Sequence, residues 1–139
     1  MADEIKDMKA GLKTRFEAVT GIKRAYTYPP DAINEEPAAV ILLDSINNQR
    51  LIGGSTVEAD FRVSVFVSSG DPQQSIDQLD SFASPLGTAS VEVALKADTT
   101  LAGSADYAVL RVTNNQRRVA VGNGDFFVVD FLVRAIKAA

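Results

Sequence analysis

The sequence contains no cysteine and no histidine. Without cysteine the chain cannot form disulfides or use a thiolate, and nothing indicates a protein built for an oxidising compartment. Without histidine it lacks the side chain that most often transfers protons near neutral pH, which is also the commonest transition-metal ligand. The two absences exclude Ser-His and Cys-His catalysis and essentially all zinc sites. We therefore expect neither a cofactor nor enzymatic activity.

The sequence also lacks any apolar run long enough to span a membrane. Its first residues, MADEIKDMKAGLK, have neither the apolar core nor the cleavage site of a secretory signal. We expect a chain that is made in the cytoplasm and does not contact membranes. The formal net charge of −4 gives no overall attraction to nucleic acid. A channel wall along which DNA slides without sticking is compatible with that charge.

The size and composition are those of one globular domain. The chain has 139 residues, of which 46% are apolar and 23% charged. A chain of this length buries about two-thirds of its unfolded surface and folds without disulfide or metal staples. Since no repeat, low-complexity tract or linker divides the sequence, we predict a single domain covering residues 1–139.

Three segments have the sequence pattern of helices. Apolar residues recur at spacings of three and four from Ile5 to Val19, and Gly21 predicts the end of this first helix. The run Asp71–Gln74 offers an N-cap acid, a proline at N1 and a glutamine at N3, which together predict a second helix. A short third helix follows Ser90. The second and third helices should cover one face of a sheet.

The remaining periodic segments predict strands. Lys23–Tyr28 stops at two prolines, which favours an edge strand. The continuous apolar run Ala38–Leu43 is typical of a strand in the middle of a sheet that is buried on both faces or covered by a neighbour. Val57–Ser68 alternates strictly and predicts a half-buried antiparallel strand, with Phe66 as the one apolar residue on its polar side. Tyr107–Thr113 also alternates.

A long hairpin is predicted to close the chain. Val119–Val121 and Phe126–Ile136 flank a turn that contains an Asn-Gly step. Asp130 and Arg134 interrupt the second, otherwise apolar strand, on the face that carries Phe126. Because they are four residues apart, the sheet does not pair them, and each needs another partner or solvent. Apolar strands with embedded charges often lie at subunit interfaces.

These elements predict the fold class. We expect an α+β fold: a mainly antiparallel sheet of about five or six strands, with the N-terminal helix and the central helical pair packed on it.

Several residues of the strands and of one predicted loop are candidates for a subunit interface. Asn47–Thr56 has the composition of a loop, in which Gly53-Gly54 permits unusual backbone angles. Two large aliphatic residues at its tip are more than a solvated connection needs, although they could also fold back on their own sheet. The candidate interface residues are Arg50, Leu51, Ile52, Phe66, Arg117, Arg118, Asp130 and Arg134.

No motif predicts a ligand site. Gly122–Gly124 lacks the Lys-Ser/Thr of a phosphate loop and the helix of a dinucleotide fingerprint, so it is interpreted as a turn. Glu35 and Glu36 beside Asp31 do not have EF-hand spacing and are interpreted as solvated acids. Asp77 and Asp80 are interpreted as part of the solvent-exposed face of the second helix. The pair Arg117-Arg118 has no neighbouring aromatic residue, which favours a surface or subunit contact over a nucleic-acid site.

One segment carries a family resemblance. In SVEVALKADTTLAGSADY, residues 90–107, a short helix ends at Asp98 and Leu101 folds back before a strand. This sequence resembles the "AL..D.TL.G" segment of tail terminator and neck proteins of long-tailed bacteriophages. The order of the surrounding elements is also similar to that family. That family often has Gly-Gly after the leucine, whereas this chain has Ala102-Gly103.

The resemblance implies a structural virion protein. Tail terminators form a hexameric ring that ends the tail tube and offers a surface to the head connector or stopper protein, while DNA passes through the lumen without specific binding. The alternative within this class is a neck or head-closure ring subunit. Two other classes compete with it, a small monomeric ligand-binding or regulatory domain and a minimal enzyme that uses carboxylates or tyrosine. The lack of histidine, cysteine and any paired-carboxylate motif argues against the enzyme. Oligomeric state separates the ring from the monomeric domain.

Overall fold

A computed structural model describes residues 4–28, 33, 37–51, 54–68, 72–84, 90–97, 99–101, 105–113, 117–121 and 124–138. In chain order the elements are α1 (Glu4–Glu17), β1 (Arg24–Tyr26), β2 (Ala38–Leu51), β3 (Gly54–Ser68), α2 (Pro72–Ala83), α3 (Val91–Ala97), β4 (Tyr107–Thr113), β5 (Arg117–Val121) and β6 (Gly124–Ala138). Three helices and a mixed sheet make the fold α+β, as predicted. None of the helices within the described part of the chain is long and apolar enough to cross a membrane.

The six strands form one sheet in the order β1-β2-β3-β6-β4, with β5 also paired to β6. β1 and β2 are parallel, and every other neighbouring pair is antiparallel. The prediction of a mainly antiparallel sheet is therefore confirmed, as is the edge position of the first strand. β4 and β5 pair with the same side of β6, β5 near its beginning and β4 near its end.

All three helices pack on one face of this sheet, which we call the helix face. The alternating residues of β3 predicted to be buried, from Ala59 to Val67, point into this core. The apolar stripe of α1 reaches the same core, where the Phe16 and Phe131 rings lie 6.2 Å apart. Glu17 is the last residue of α1, and its carboxylate accepts a hydrogen bond from the Ala25 backbone N–H (3.2 Å). This bond ties the end of α1 to β1.

The segment 90–107, which we call the signature segment, joins the helix layer to the sheet. Ser90 caps α3, because its Oγ accepts a hydrogen bond from the backbone N–H of Val93 (3.2 Å). Leu101 lies in the turn that follows and has a positive φ of 51°, yet its side chain is buried. That turn packs directly against Gly11 of α1. Asp98, Ala102 and Gly103 lie outside the described residues.

The opposite face of the sheet, which we call the outer face, has a smaller apolar cluster. It comprises Tyr26, Ile33, Ala38, Val40, Phe126 and Val128, with Phe66 and Val119 packed against it. Ile33 belongs to the connection between the parallel strands β1 and β2. Ile33 itself is buried in this cluster.

Two sequence predictions for β2 are wrong. The predicted loop Asn47–Thr56 is the far part of a long hairpin, in which pairing continues to Leu51 and Gly54. Only residues 52 and 53 connect the strands, and the backbone pairing of polar residues supplies the hydrogen bonds that a loop would have left to water. Leu42 and Leu43, predicted to be buried, are each 39% exposed. The reason is that β1 covers β2 only from Ala38 to Val40.

The closing hairpin has the predicted strands with a shifted turn. Register pairs Val121 with Gly124, which leaves residues 122 and 123 between the two strands. The Asn-Gly step was predicted to lie within the turn, but its glycine is already the first residue of β6. Residues 122 and 123 lie outside the described part of the chain.

Candidate assembly surfaces

Asp130 is held in a hydrogen-bonded cluster on the outer face. It lies opposite Ser64 in the register, and Ser64 Oγ donates a hydrogen bond to Asp130 Oδ1 (2.6 Å). Arg117 of β5 donates from Nη1 to Oδ2 (2.7 Å). The carboxylate side chain is only 5% exposed, whereas the arginine remains 45% exposed. Asp130 therefore has partners in its own chain, as its burial requires.

Arg134 is held by two carboxylates of β3. It lies directly opposite Asp60 and donates to it from Nε (2.9 Å) and Nη2 (3.2 Å), while Nη1 lies 2.7 Å from Glu58 Oε1. The side-chain hydrogen bonds to Asp60 raise the pKa of Arg134 above its usual value. The prediction that Asp130 and Arg134 do not pair with each other and need separate partners is confirmed. Both sets of partners are internal to the chain.

Phe66 also packs within the chain. Its ring meets the Phe126 ring edge-on at 6.0 Å, and it is only half-buried. It therefore extends the apolar cluster of the outer face.

The other predicted interface residues lie at two places in the hairpins. Arg50 and Leu51 are the last residues of β2, and Ile52 lies just outside the described residues. Arg118 belongs to β5 and is opposite Phe127 in the register. The structure thus brings Arg117, Asp130 and Phe66 close to one another on the outer face. It places Arg50 and Leu51 at the far tip of the β2–β3 hairpin.

The ion pairs described on the outer face are nearly balanced in charge. They are Arg117–Asp130, Arg134–Asp60, Arg134–Glu58 and Arg62–Asp44. These pairs involve four carboxylates and three guanidinium groups. Because each of these guanidinium groups is already paired with a carboxylate, they offer little electrostatic attraction to a phosphate backbone.

A basic groove lies on the helix side of the molecule. Lys6, Lys9 and Lys13 of α1 line it together with Thr27, just after β1. Their spacing of three and four residues is the signal that would have found it, since such positions share one side of a helix. One of the three lysines, Lys13, is already paired with Glu17 at 3.3 Å.

Two strand edges carry exposed apolar side chains. On β2, beyond the end of β1, Leu42, Leu43 and Ile46 are 39–43% exposed. On β4, at the other end of the sheet, Tyr107 is 50% and Val109 37% exposed. Exposed apolar residues on an unpaired edge are typical of surfaces that pair with another chain.

No constellation for chemistry accompanies these surfaces. Among the described residues, no three Asp, Glu, His or Cys side chains are grouped so that they could hold a metal ion. Asp31, Glu35 and Glu36, the acids considered from sequence, lie outside that part of the chain. In comparisons with known proteins, no protein-family profile matches the chain, and no curated protein matches its sequence. Its function is therefore argued from its residues and their geometry.

Proposed function

We propose that this chain is a tail terminator of a long-tailed bacteriophage. In this proposal it is a non-enzymatic virion subunit that forms a hexameric ring, caps the tail tube and joins it to the head connector. Its mechanism is complementarity of surfaces, and DNA passes through the lumen without being gripped. The protein is made in the host cytoplasm and ends up in the neck of the particle.

The observation that carries the proposal is the segment from Ser90 to Tyr107. Its sequence resembles the family signature, and in the fold it connects α3 to β4 and contacts α1. α3 is capped by Ser90, the chain reverses at Leu101, and the turn seats on Gly11 before β4 begins. A segment that joins the helix layer to the sheet in this way has a structural role. This agrees with a signature that contains no catalytic or ligand-binding motif.

The two ends of the sheet support a ring subunit over a monomeric domain. A ring built from head-to-tail contacts needs two different self-surfaces on each subunit. The sheet has exposed apolar residues at both of its ends, at Leu42 on β2 and Tyr107 on β4.

The test is assembly on tail tubes. The purified chain is mixed with tubes of the tube protein encoded beside its gene, because the resemblance implies that the two genes are neighbours. Electron microscopy and light scattering should show rings of this chain at one end of each tube. A chain that is strictly monomeric and forms no ring on any tail end contradicts the proposal. Rings that bind the head connector but never a tube would instead indicate the neck or head-closure alternative.

A further inference from the structure

The charges of this chain are divided unevenly between two parts of the fold. Residues 4–28, which contain α1 and β1, have six basic and three acidic side chains, whereas the rest of the chain has eight basic and fifteen acidic ones. The first part thus carries a net charge of +3 and the remainder −7. β1 is an edge strand, and α1 packs on β1 and β2, so the basic part lies at one end of the sheet. Copies charged in this way attract each other when the basic part of one meets an acidic surface of the next.

The basic groove lies within this positively charged part. Lys13 is already paired with Glu17 (3.3 Å), whereas Lys6 and Lys9 have no ion-pair partner among the residues that the structure describes. Ile5 adds an apolar wall to the groove. The groove therefore presents two ammonium groups beside an apolar surface, a combination suited to an acidic segment of a protein.

The helix α2 carries an acidic face whose charges have the matching spacing. It contains Asp77 and Asp80 but no lysine or arginine. Both aspartates are exposed, and because they are three residues apart they lie on the same side of the helix. Their separation along the helix axis is about 4.5 Å, the same as that of Lys6 and Lys9 on α1. Two helices lying side by side can therefore bring two carboxylates against two ammonium groups.

The two surfaces do not meet within one copy. α2 packs on β3 and β6, whereas the basic groove lies beside β1, and β1 is two strand spacings, about 10 Å, from β3. The ion pairs found in the described part of the chain include none between α1 and α2. A contact between the groove and the acidic face therefore requires two copies. Because the two surfaces differ, the contact is heterologous.

We propose that the basic groove of one copy receives the acidic face of α2, defined by Asp77 and Asp80, of a second copy. A heterologous contact of this kind repeats from copy to copy, so that it closes into a ring or continues as a filament. The charge distribution favours this partner over nucleic acid, because the acidic remainder of the chain repels a phosphate backbone but contains the acidic face itself. The inference deepens the proposed terminator function and rests on it for ring closure, but the contact can be tested without tail tubes.

The test reverses the charge of each surface in turn. Lys6→Glu/Lys9→Glu gives a copy whose groove and α2 are both acidic, and Asp77→Lys/Asp80→Lys gives a copy in which both are basic. Each variant should associate with itself at least about tenfold more weakly than the unmodified chain at low salt, because like charges then face each other. Sedimentation over a concentration series measures association of the free proteins, and electron microscopy measures assembly on tubes. Circular dichroism checks that every variant is folded.

An equimolar mixture of the two variants should restore association. In the mixture, the acidic groove of the first variant meets the basic α2 of the second, and the basic groove of the second meets the acidic α2 of the first. A groove that binds DNA or another protein does not predict this recovery. Lys96→Glu/Lys137→Glu is the matched control, because it changes the net charge as much as the groove variant does but lies on α3 and β6. This control should associate like the unmodified chain.

Each other outcome has a defined meaning. Folded variants that associate as well as the unmodified chain, or a mixture that stays dissociated, would overturn the inference. Loss of association in the lysine variant alone would show that the groove binds something other than α2 and would also overturn it. Rings that form on tubes despite either reversal would leave the terminator proposal standing and reject this contact. Recovery in the mixture without a ring on any tube would support the contact and reject the terminator function. An unmodified chain that associates neither alone nor on tubes would contradict both.

Discussion

Gly11 and Leu101 contact each other so closely that no side chain fits between them. A Cβ atom built on Gly11 would lie 2.6 Å from Leu101 Cβ and would also meet the backbone of Leu101. The two residues are far apart in sequence, one in the middle of α1 and the other in the turn after α3. This contact fixes the signature segment against the N-terminal helix.

Gly11→Ala should therefore destabilise the protein although it occurs within a helix. Alanine is favoured over glycine in helices by about 1 kcal/mol. The backbone of Leu101 cannot move aside as a flexible side chain could, so we expect a net loss of about 1–2 kcal/mol in the free energy of unfolding. Urea unfolding followed by circular dichroism measures this change. Thr14→Ala, at an exposed position of the same helix, is the control and should be neutral or slightly stabilising. A Gly11→Ala variant stabilised as much as the control would contradict the contact.

A second prediction compares two arginines of the outer face. Arg117→Met removes one hydrogen-bond donor from the buried Asp130 carboxylate. Arg62→Met removes the ion-pair partner of Asp44, whose side chain is 42% exposed and can be solvated instead. We expect Arg117→Met to cost about 1–2 kcal/mol, an estimate reduced because the arginine itself is 45% exposed. Arg62→Met should cost about 0.5 kcal/mol or less. Equal costs in urea unfolding would contradict the buried-acid interpretation.

The sequence predicted most of the local structure of this chain. The α1 stripe and the alternation of β3 depend on the period of apolar residues, which burial on one side imposes directly. The proline at the start of α2 is likewise a local signal, whereas the Ser90 cap was not predicted. Partners of Asp130 could not be predicted in this way, because Ser64 and Arg117 reach it only through the registers of β3 and β5 with β6.

The main errors occurred where composition and pairing disagree. Asn47–Thr56 contains asparagine, glutamine, serine and glycine, which are frequent in loops, yet its backbone is paired as a hairpin. The exposure of Leu42 depends on the shortness of β1, a property of another segment.

A third prediction concerns DNA. The chain has a formal net charge of −4, and the ion pairs described on the outer face are almost balanced, so we expect the lumen of a ring to be neutral to acidic. We expect the free protein to show no tight binding to duplex DNA at physiological salt. Any binding at low salt should involve Lys6, Lys9 and Lys13, because these lysines line one groove. It should weaken steeply with added salt.

Fluorescence anisotropy with labelled duplex DNA over a range of salt concentrations measures this behaviour. The triple variant Lys6→Gln/Lys9→Gln/Lys13→Gln should lose the residual low-salt binding. Lys96→Gln, which removes an exposed lysine of α3, is the control and should retain it. Tight binding by the unmodified chain at physiological salt would remove the hypothesis of a non-gripping lumen.

The last prediction concerns the tip of the β2–β3 hairpin. Leu51 pairs with Gly54 at the end of the ladder, and Ile52 follows it outside the described residues. Burying two aliphatic side chains against a partner is worth about 1.5–3 kcal/mol each, in every subunit of a ring. Leu51→Asp/Ile52→Asp should therefore abolish assembly on tubes while leaving the fold unchanged by circular dichroism. Val93→Asp, at an exposed aliphatic position of α3, is the control and should assemble normally. A misfolded double variant would instead place the two residues on their own sheet, and normal assembly would exclude the tip from the interface.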